Sequence, residues 1–460
     1  MIDADSLIKA MTAQIDSRWG HYYRICHKIS GSYGLVFILE SRLDDALHVN
    51  PKRFAIKTIR PDVLLHRGAS VDAEALFRRE IGKWLGISFH PNVLVPTLLE
   101  FFQIESFRIP WVSMPYCEST LREWIDQEYT TRPIVDRLLA LAQMLNGLSW
   151  LYYDQGIEGH GDLKPENVLI QDLRAEYNLP SVGFPSQQHP WLIRISDLGW
   201  ADVWIDLGFS DRGWQPYMAP ERYEGRVEPV RSDMFSVGVI AAELLQGKHP
   251  CGRPVKELHS KGRSWWKRWA NLGSRDLSGI EPPELQAVIA ACLNKDPQAR
   301  PLPRDVIEVV SQIAGGYGIP VLEVLGALND YAAKTKASAP GQAHWTVEQV
   351  ARLSPQDLDA AIDRTRCEHM LLEPSVKPGV WLLTSRTLWR LLGMRGSDED
   401  RAEREALARE VLDFVLRNWE SLDVRSHIYG EELTKSAGLH PKEVLEEFVQ
   451  EALTVLRECH

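Results

Sequence analysis

The sequence predicts an α+β fold: a small β-rich lobe, a larger helical lobe and, after a linker, a small mainly helical domain. Three observations carry this expectation. Between residues 24 and 60 the apolar residues come in short runs suited to strands, as in Leu35-Val36-Phe37-Ile38-Leu39-Glu40 and Phe54-Ala55-Ile56-Lys57-Thr58-Ile59. After Met114-Pro115-Tyr116 the spacing of apolar residues becomes helical. Residues 332–343, rich in Ala, Ser, Lys and Pro, then break the pattern as a linker does.

The whole chain sets bounds on function. At 460 residues it is long for one core and suggests two or more domains. With 44% hydrophobic and 25% charged residues, the composition is that of a globular protein. The formal net charge of −11 argues against a general binder of nucleic acid or anionic membrane. Cys26, Cys117, Cys251, Cys292, Cys367 and Cys459 are scattered without metal-ligand spacing, as expected of reduced thiols. No signal-like apolar run opens the chain, and later apolar segments are too short to span a bilayer. A soluble protein of the cytoplasm is expected.

In chain order, residues 1–20 read as an N-terminal extension, and strands occupy the region to residue 60. Ala75, Leu76, Arg79, Glu80, Ile81 and Trp84 fall at helical offsets. Longer helices are expected over 134–153 and 233–246, with residues 171–190, rich in Pro, Gly, Ser and Gln, as a surface insertion. The basic, aromatic run Lys261-Gly262-Arg263-Ser264-Trp265-Trp266-Lys267-Arg268-Trp269 reads as a helix with tryptophans packed inward and cations facing water. The second-lobe pattern ends near Ile313, and a short helix follows over 321–331.

Beyond the linker, Ser354 with Asp357 and Ser397 with Asp400 have the pattern of helix starts. Leu407, Val411, Phe414 and Val415 form one apolar face, and Leu445, Phe448, Ala452 and Val455 another. Residues 429–447 have a helix-turn-helix look with Gly438 at the turn. Their second helix is acidic, which suits protein contact or autoregulation rather than a DNA groove.

Chemistry concentrates in His160-Gly161-Asp162-Leu163-Lys164-Pro165-Glu166-Asn167. It combines a carboxylate able to accept a hydroxyl proton, an ammonium able to neutralise phosphate and an amide oxygen able to bind a metal. Asp197-Leu198-Gly199 adds a second metal-binding carboxylate on a glycine-hinged turn. Gly31-Ser32-Tyr33-Gly34-Leu35-Val36 offers glycines where backbone must approach phosphates closely. Lys57, among apolar strand neighbours, is costly to bury unless paired, so a partner is expected.

In this order the set resembles the protein kinases of the eukaryotic type, over roughly residues 24–313. Ala219-Pro220-Glu221, the segment Ser232-Asp233-Met234-Phe235-Ser236-Val237-Gly238 and Arg300 as the salt-bridge partner of Glu221 strengthen the likeness. The resemblance implies a bilobal kinase-like domain over 21–314, a short helix and linker over 315–344, and a helical interaction or regulatory module over 345–460. It implies ATP bound in the cleft by Ile29, Gly31, Gly34, Val36, Ala55, Lys57, Glu80, Met114 and Tyr116, and Mg²⁺ held by Asn167 and Asp197. Asp162 and Lys164 are the implied catalytic pair, with His160 structural, and the implied substrate is a serine or threonine hydroxyl of another protein. A partner protein for the C-terminal module is expected; nucleic acid and membrane are not.

Four positions depart from the family pattern. Ile29 stands for the first loop glycine, Gly161 for the usual arginine, Leu198 for phenylalanine and Trp214 for a threonine. Without a cation at 161, a phosphate on the activation segment loses its main local partner, so activity is expected to be independent of such a phosphate. Only Ser210 and Tyr217 carry hydroxyls between Asp197 and Glu221. Two other readings remain: a pseudokinase scaffold, and a small-molecule phosphotransferase of the aminoglycoside and choline kinase-like group, which shares His-Gly-Asp.

Overall fold

The computed structural model describes residues 3–20, 23–30, 34–42, 53–61, 65, 87, 90–96, 98–105, 107–129, 131–175, 179, 181, 184–198, 215–226, 228–258, 260–338, 372–374 and 381–383. Helix α1 (Ala4–Trp19) opens the chain, with the Asp3 side chain accepting the Ser6 N–H at 2.7 Å as its N-cap. Five antiparallel strands follow: β1 (Tyr23–Ser30), β2 (Gly34–Ser41), β3 (Arg53–Ile59), β4 (Leu98–Ile104) and β5 (Phe107–Pro115), in spatial order β1-β2-β3-β5-β4.

The period of two along the strands divides this sheet into a structural and a functional face. Leu35, Phe37 and Leu39 of β2 and Phe54 and Ile56 of β3 join Leu7, Met11 and Ile15 of α1 in one buried cluster. These α1 residues recur every fourth position and present a single stripe. Gln14 fastens the helix to β4 by accepting the Gln103 N–H at 3.2 Å. The N-terminal extension, described over residues 3–20, thus covers the outer face of the sheet. The alternate residues Ile38 and Ala55 pack into the core of the second lobe, with Val36 against it. Lys57, two beyond Ala55, shares their face and is the register partner of Val36.

The second lobe begins with a three-stranded antiparallel sheet of β6 (Ser119–Thr120), β7 (Val168–Asp172) and β8 (Trp191–Ile195), in order β6-β7-β8. Its central helix α2 (Ile134–Ser149), extended by a π-helical turn over Trp150–Asp154, is buried continuously from Leu138 to Leu148. A helix buried on all sides belongs inside a core. Helices α3 (Pro229–Gln246), α4 (Arg263–Asn271), α5 (Pro283–Cys292), α6 (Pro303–Gly315) and α7 (Val321–Ser338) complete the lobe. In α4, Trp266 and Trp269 are buried against His249, at 5.3 and 4.5 Å between ring centroids, while Lys267 and Arg268 are exposed as expected.

Two expectations need correction. Residues 171–190 are not merely a surface insertion, because Gln171 and Asp172 finish β7 and Leu173, Leu179 and Ser186 are buried. Turn-forming residues marked the segment, but its few apolar side chains anchor it. The helix expected over 321–331 continues to Ser338, so the expected linker begins as helix. Val321, Val324, Leu325, Leu328 and Ala332 of this helix lie in the main core, which places it within the second lobe. Within residues 345–460 the described elements are two short paired strands, β9 (Leu372–Pro374) and β10 (Trp381–Leu383). The helix starts at Ser354 and Ser397, the apolar faces and the helix-turn-helix-like segment lie outside the described residues, as does the helix around Glu80.

Candidate active site

The loop carrying Asp162 is shaped by two buried residues. Asp233 of α3 accepts the backbone N–H groups of His160 at 2.5 Å and Gly161 at 3.1 Å, and the Tyr152 hydroxyl at 2.9 Å. The His160 ring bridges to the next segment. Its Nδ1 accepts the Asp162 N–H at 3.3 Å, so Nε2 carries the proton and donates to the Ser196 carbonyl at 2.8 Å. His160 therefore links the two loops. Ser196 is further tied to Asn167, whose carbonyl accepts its N–H at 2.9 Å and its hydroxyl at 3.0 Å.

These supports bring the charged groups together. Lys57, from the first lobe, donates to the Asp197 carboxylate, from the second. Asp197 has φ +60, a left-handed conformation that aspartate tolerates better than most residues. Burial pushes its carboxyl up, but the charges of Lys57 and Lys164 outweigh this and leave it below the ordinary range. Lys164 Nζ lies 2.8 Å from Asp162 Oδ2. Burial pulls the Lys164 ammonium down, and the carboxylates of Asp162, Glu166 and Asp197 more than offset that. Asn167 is 4% exposed and donates its amide Nδ2 to the Asp162 carbonyl at 2.8 Å. That bond directs its amide oxygen the other way.

Most of the residues expected to contact nucleotide lie on β1, β2, β3 and β5 or just beyond them. Ala55 sits in register between Ile38 and Met114, and both Ala55 and Met114 are buried. Val36 is half-buried, and a β-carbon at Gly34 would come within 3.3 Å of Lys57 Cε, so glycine leaves this lysine its room. Tyr116 packs beneath the Arg53 guanidinium at 4.4 Å from its ring centroid. Ile29, next to last in β1, pairs with Val36 and is 55% exposed. Gly31, Glu80, Ser210 and Trp214 lie outside the described residues.

No group of three or more His, Cys, Asp or Glu among the described residues could hold a metal by itself. Asn167 and Asp197 supply hard oxygen donors, too few for an all-protein cage. That fits Mg²⁺, which takes one or two protein oxygens and completes its octahedron with phosphates and water.

Two supports escaped the sequence reading. Gly161 has φ +80, which any β-carbon would strain, so glycine here answers a backbone requirement. Arg222, following Ala219-Pro220-Glu221, donates its Nη1 to the Gly161 carbonyl, bringing a guanidinium to the loop from another element. The expected pair of Arg300 and Glu221 is present, bidentate at 2.7 and 2.8 Å, with side chains 0% and 3% exposed. Tyr217 is 1% exposed; its hydroxyl donates to Glu243 at 2.7 Å and accepts from Arg122 at 3.0 Å.

Two lobes meeting at this cluster of two lysines, two aspartates and an asparagine define a phosphotransferase-type cleft. Residues 30–310 match the protein kinase domain family, and the chain belongs to it. The chain is 30% identical over 174 residues to mitogen-activated protein kinase kinase 2 of Arabidopsis thaliana, covering 36% of this chain and 42% of that one. It is 26% identical over 272 residues to serine/threonine-protein kinase PkaA of Streptomyces coelicolor, covering 58% and 44% respectively. Serine/threonine-protein kinase A of Synechocystis is 28% identical over 221 residues, covering 45% and 38%. The chain thus spans less than half the length of these curated relatives. Among the described residues no helix is long and apolar enough to cross a membrane.

Proposed function

We propose that this protein transfers the γ-phosphoryl group of Mg²⁺-bound ATP to serine or threonine hydroxyls of a protein substrate. The observation that carries this reading is the convergence of Lys57 and Asp197 across the cleft beside the Asp162–Lys164 pair. Asp162 orients the acceptor hydroxyl and takes its proton. Lys164 neutralises charge on the transferring group, and Lys57 orients the nucleotide phosphates. Asn167 Oδ1 and the Asp197 carboxylate hold the metal, which when bound neutralises the phosphate oxygens. Catalysis of this kind is mostly positioning and charge stabilisation, which a braced cluster can supply. The relatives named as serine/threonine-protein kinases support the choice of acceptor.

Activity is further proposed to need no activation-segment phosphate. The buried, doubly bonded Tyr217 hydroxyl supports this, since it is a packing group with no room for a phosphate. Free cysteines at positions 26, 251 and 292 support a reducing, cytoplasmic setting. Residues 345–460 are proposed to recruit or regulate through a partner protein. Comparing full-length protein with a chain ending at Ser338 tests that role; equal activity toward a physiological acceptor leaves it without support.

The central test incubates purified protein with γ-labelled ATP, Mg²⁺ and a mixed protein acceptor, followed by phosphoamino-acid analysis. Label on serine and threonine, lost in Asp162→Asn, is expected. ATP binding without turnover would favour a scaffold, and label on a small cationic metabolite alone a small-molecule phosphotransferase.

A further inference from the structure

Helix α7 lies beyond the family match, which ends at residue 310, yet its apolar stripe is seated in the catalytic core. Beside that stripe Asn329, itself on the exposed flank, turns its amide oxygen inward. Oδ1 accepts from His90 Nε2 at 3.0 Å and from Asn146 Nδ2 at 2.9 Å. His90 Nδ1 accepts the Asn92 N–H at 3.0 Å, so Nε2 must carry the ring proton. Both donors are buried, His90 at 0% and Asn146 at 5% exposure, and both converge on this one oxygen.

The connection continues to the site. Asn146 also donates to Asn92 Oδ1 at 3.0 Å, and Asn92 Nδ2 donates to the Ile193 carbonyl of β8 at 2.9 Å. The backbones join as well: Ile195 N–H donates to the Asn92 carbonyl at 2.9 Å and Leu94 N–H to the Ile195 carbonyl at 2.8 Å. The next residues along the chain are Ser196, held by His160 and Asn167, and Asp197.

We propose that Asn329 is a positioning residue for phosphoryl transfer: from a helix outside the family's matched segment, it fixes the loop of His90 and Asn92 that aligns β8 and thereby Asp197. The inference rests on the kinase reading above for its catalytic consequence, but not for its structural one. Contiguous polar networks of this kind carry coupling between packed elements, and a network missing its acceptor leaves buried donors unpaired.

The test uses the full chain. Asn329→Leu removes the acceptor and keeps water from the gap, Asn329→Asp retains an acceptor oxygen, and Asn329→Ala admits water. Amide hydrogen exchange of the peptide containing residues 192–198 is read beside steady-state kinetics. In Asn329→Leu, exchange there is expected to quicken about fivefold or more and kcat to fall about five- to tenfold, with KM for the protein acceptor unchanged. Asn329→Asp should match wild type, and Asn329→Ala should fall between. A lower melting temperature in Asn329→Leu with unchanged exchange at 192–198 and unchanged kcat would reduce Asn329 to a packing residue and overturn the proposal. If Asn329→Leu does not fold, wild-type exchange in Asn329→Ala overturns it equally. Absence of turnover in the wild type would instead defeat the kinase reading, while the exchange data still judge the network.

Discussion

Arg300→Met breaks a fully buried ion pair of the second lobe. The guanidinium donates to both Glu221 oxygens at 2.7 and 2.8 Å, to the Arg231 and Asn294 carbonyls at 2.8 Å each, and to the Lys295 carbonyl at 3.3 Å. Methionine fills much of the same space and donates nothing. Glu221, 3% exposed, would keep the Ser232 hydroxyl at 2.7 Å as its one remaining side-chain donor. Breaking a buried pair from one side costs about 3–5 kcal/mol, a large share of the roughly 5–15 kcal/mol that stabilises a typical domain.

The pH dependence should carry a signature of its own. In the native protein burial pushes the Glu221 carboxyl up, but the hydrogen bonds and charge of Arg300 bring it below its ordinary value. The pair therefore contributes stability that is present above the unfolded pKa and lost as pH falls through the depressed one. In the variant burial outweighs the remaining Ser232 hydrogen bond, so the folded carboxyl binds its proton more readily than the unfolded one and stability rises as pH falls. Urea unfolding followed by tryptophan fluorescence should show a loss of about 3–5 kcal/mol near pH 8, shrinking by about 1 kcal/mol or more near pH 5.5. Buried histidines affect both proteins alike and cancel in the difference. A loss under about 1 kcal/mol, or one equal at both pH values, would refute the reasoning. Glu221→Gln combined with Arg300→Met should recover most of the stability, because no unpaired charge remains.

Lys57→Met or Asp162→Asn should each lower kcat by several orders of magnitude, with little further loss on combination; unchanged turnover in either contradicts the site. Arg222→Met removes the donor to the Gly161 carbonyl and should lower kcat about 3- to 30-fold while leaving nucleotide affinity nearly intact, as separated by kinetics and calorimetry. Met11→Ala, at a fully buried position of α1, should cost about 2–5 kcal/mol in unfolding experiments; a neutral result means the helix does not cover the sheet. Burial pushes the His90 imidazole down to about 4, so the folded state resists a proton that the unfolded chain accepts near 6.5. Stability should fall as pH drops from 6.5 toward 4, by about 3 kcal/mol from this residue, and the His90 ring should stay neutral at pH 5.5 by nuclear magnetic resonance.

The charged cluster was legible in the chain because motif residues close in sequence must take up local turns. Asp162, Lys164 and Asn167 share one loop, and the alternation of β2 and β3 already separates Val36, Ala55 and Lys57 from Phe37, Phe54 and Ile56. The pairing of Glu221 with Arg300 and the anchoring role of Asp233 followed from the resemblance and are present in the structure. Harder to read were residues whose significance depends on which distant surface covers them. The α1 stripe of Leu7, Met11 and Ile15 is too sparse to announce a partner, and its partner is the outer face of a sheet formed later in the chain.

Gly161 shows the boundary between the two kinds of information. From sequence it is an arginine missing from a familiar place; in three dimensions it is a backbone conformation at φ +80, with Arg222 donating to its carbonyl. Composition and local order determined the two-lobe class and the chemical groups available. Only the tertiary structure decided that Asn329 meets His90, that Arg222 meets the catalytic loop and that α7 belongs to the core. A hydrogen bond between residues far apart in the chain leaves no periodicity to read, because its geometry exists only once the helices and sheets have packed.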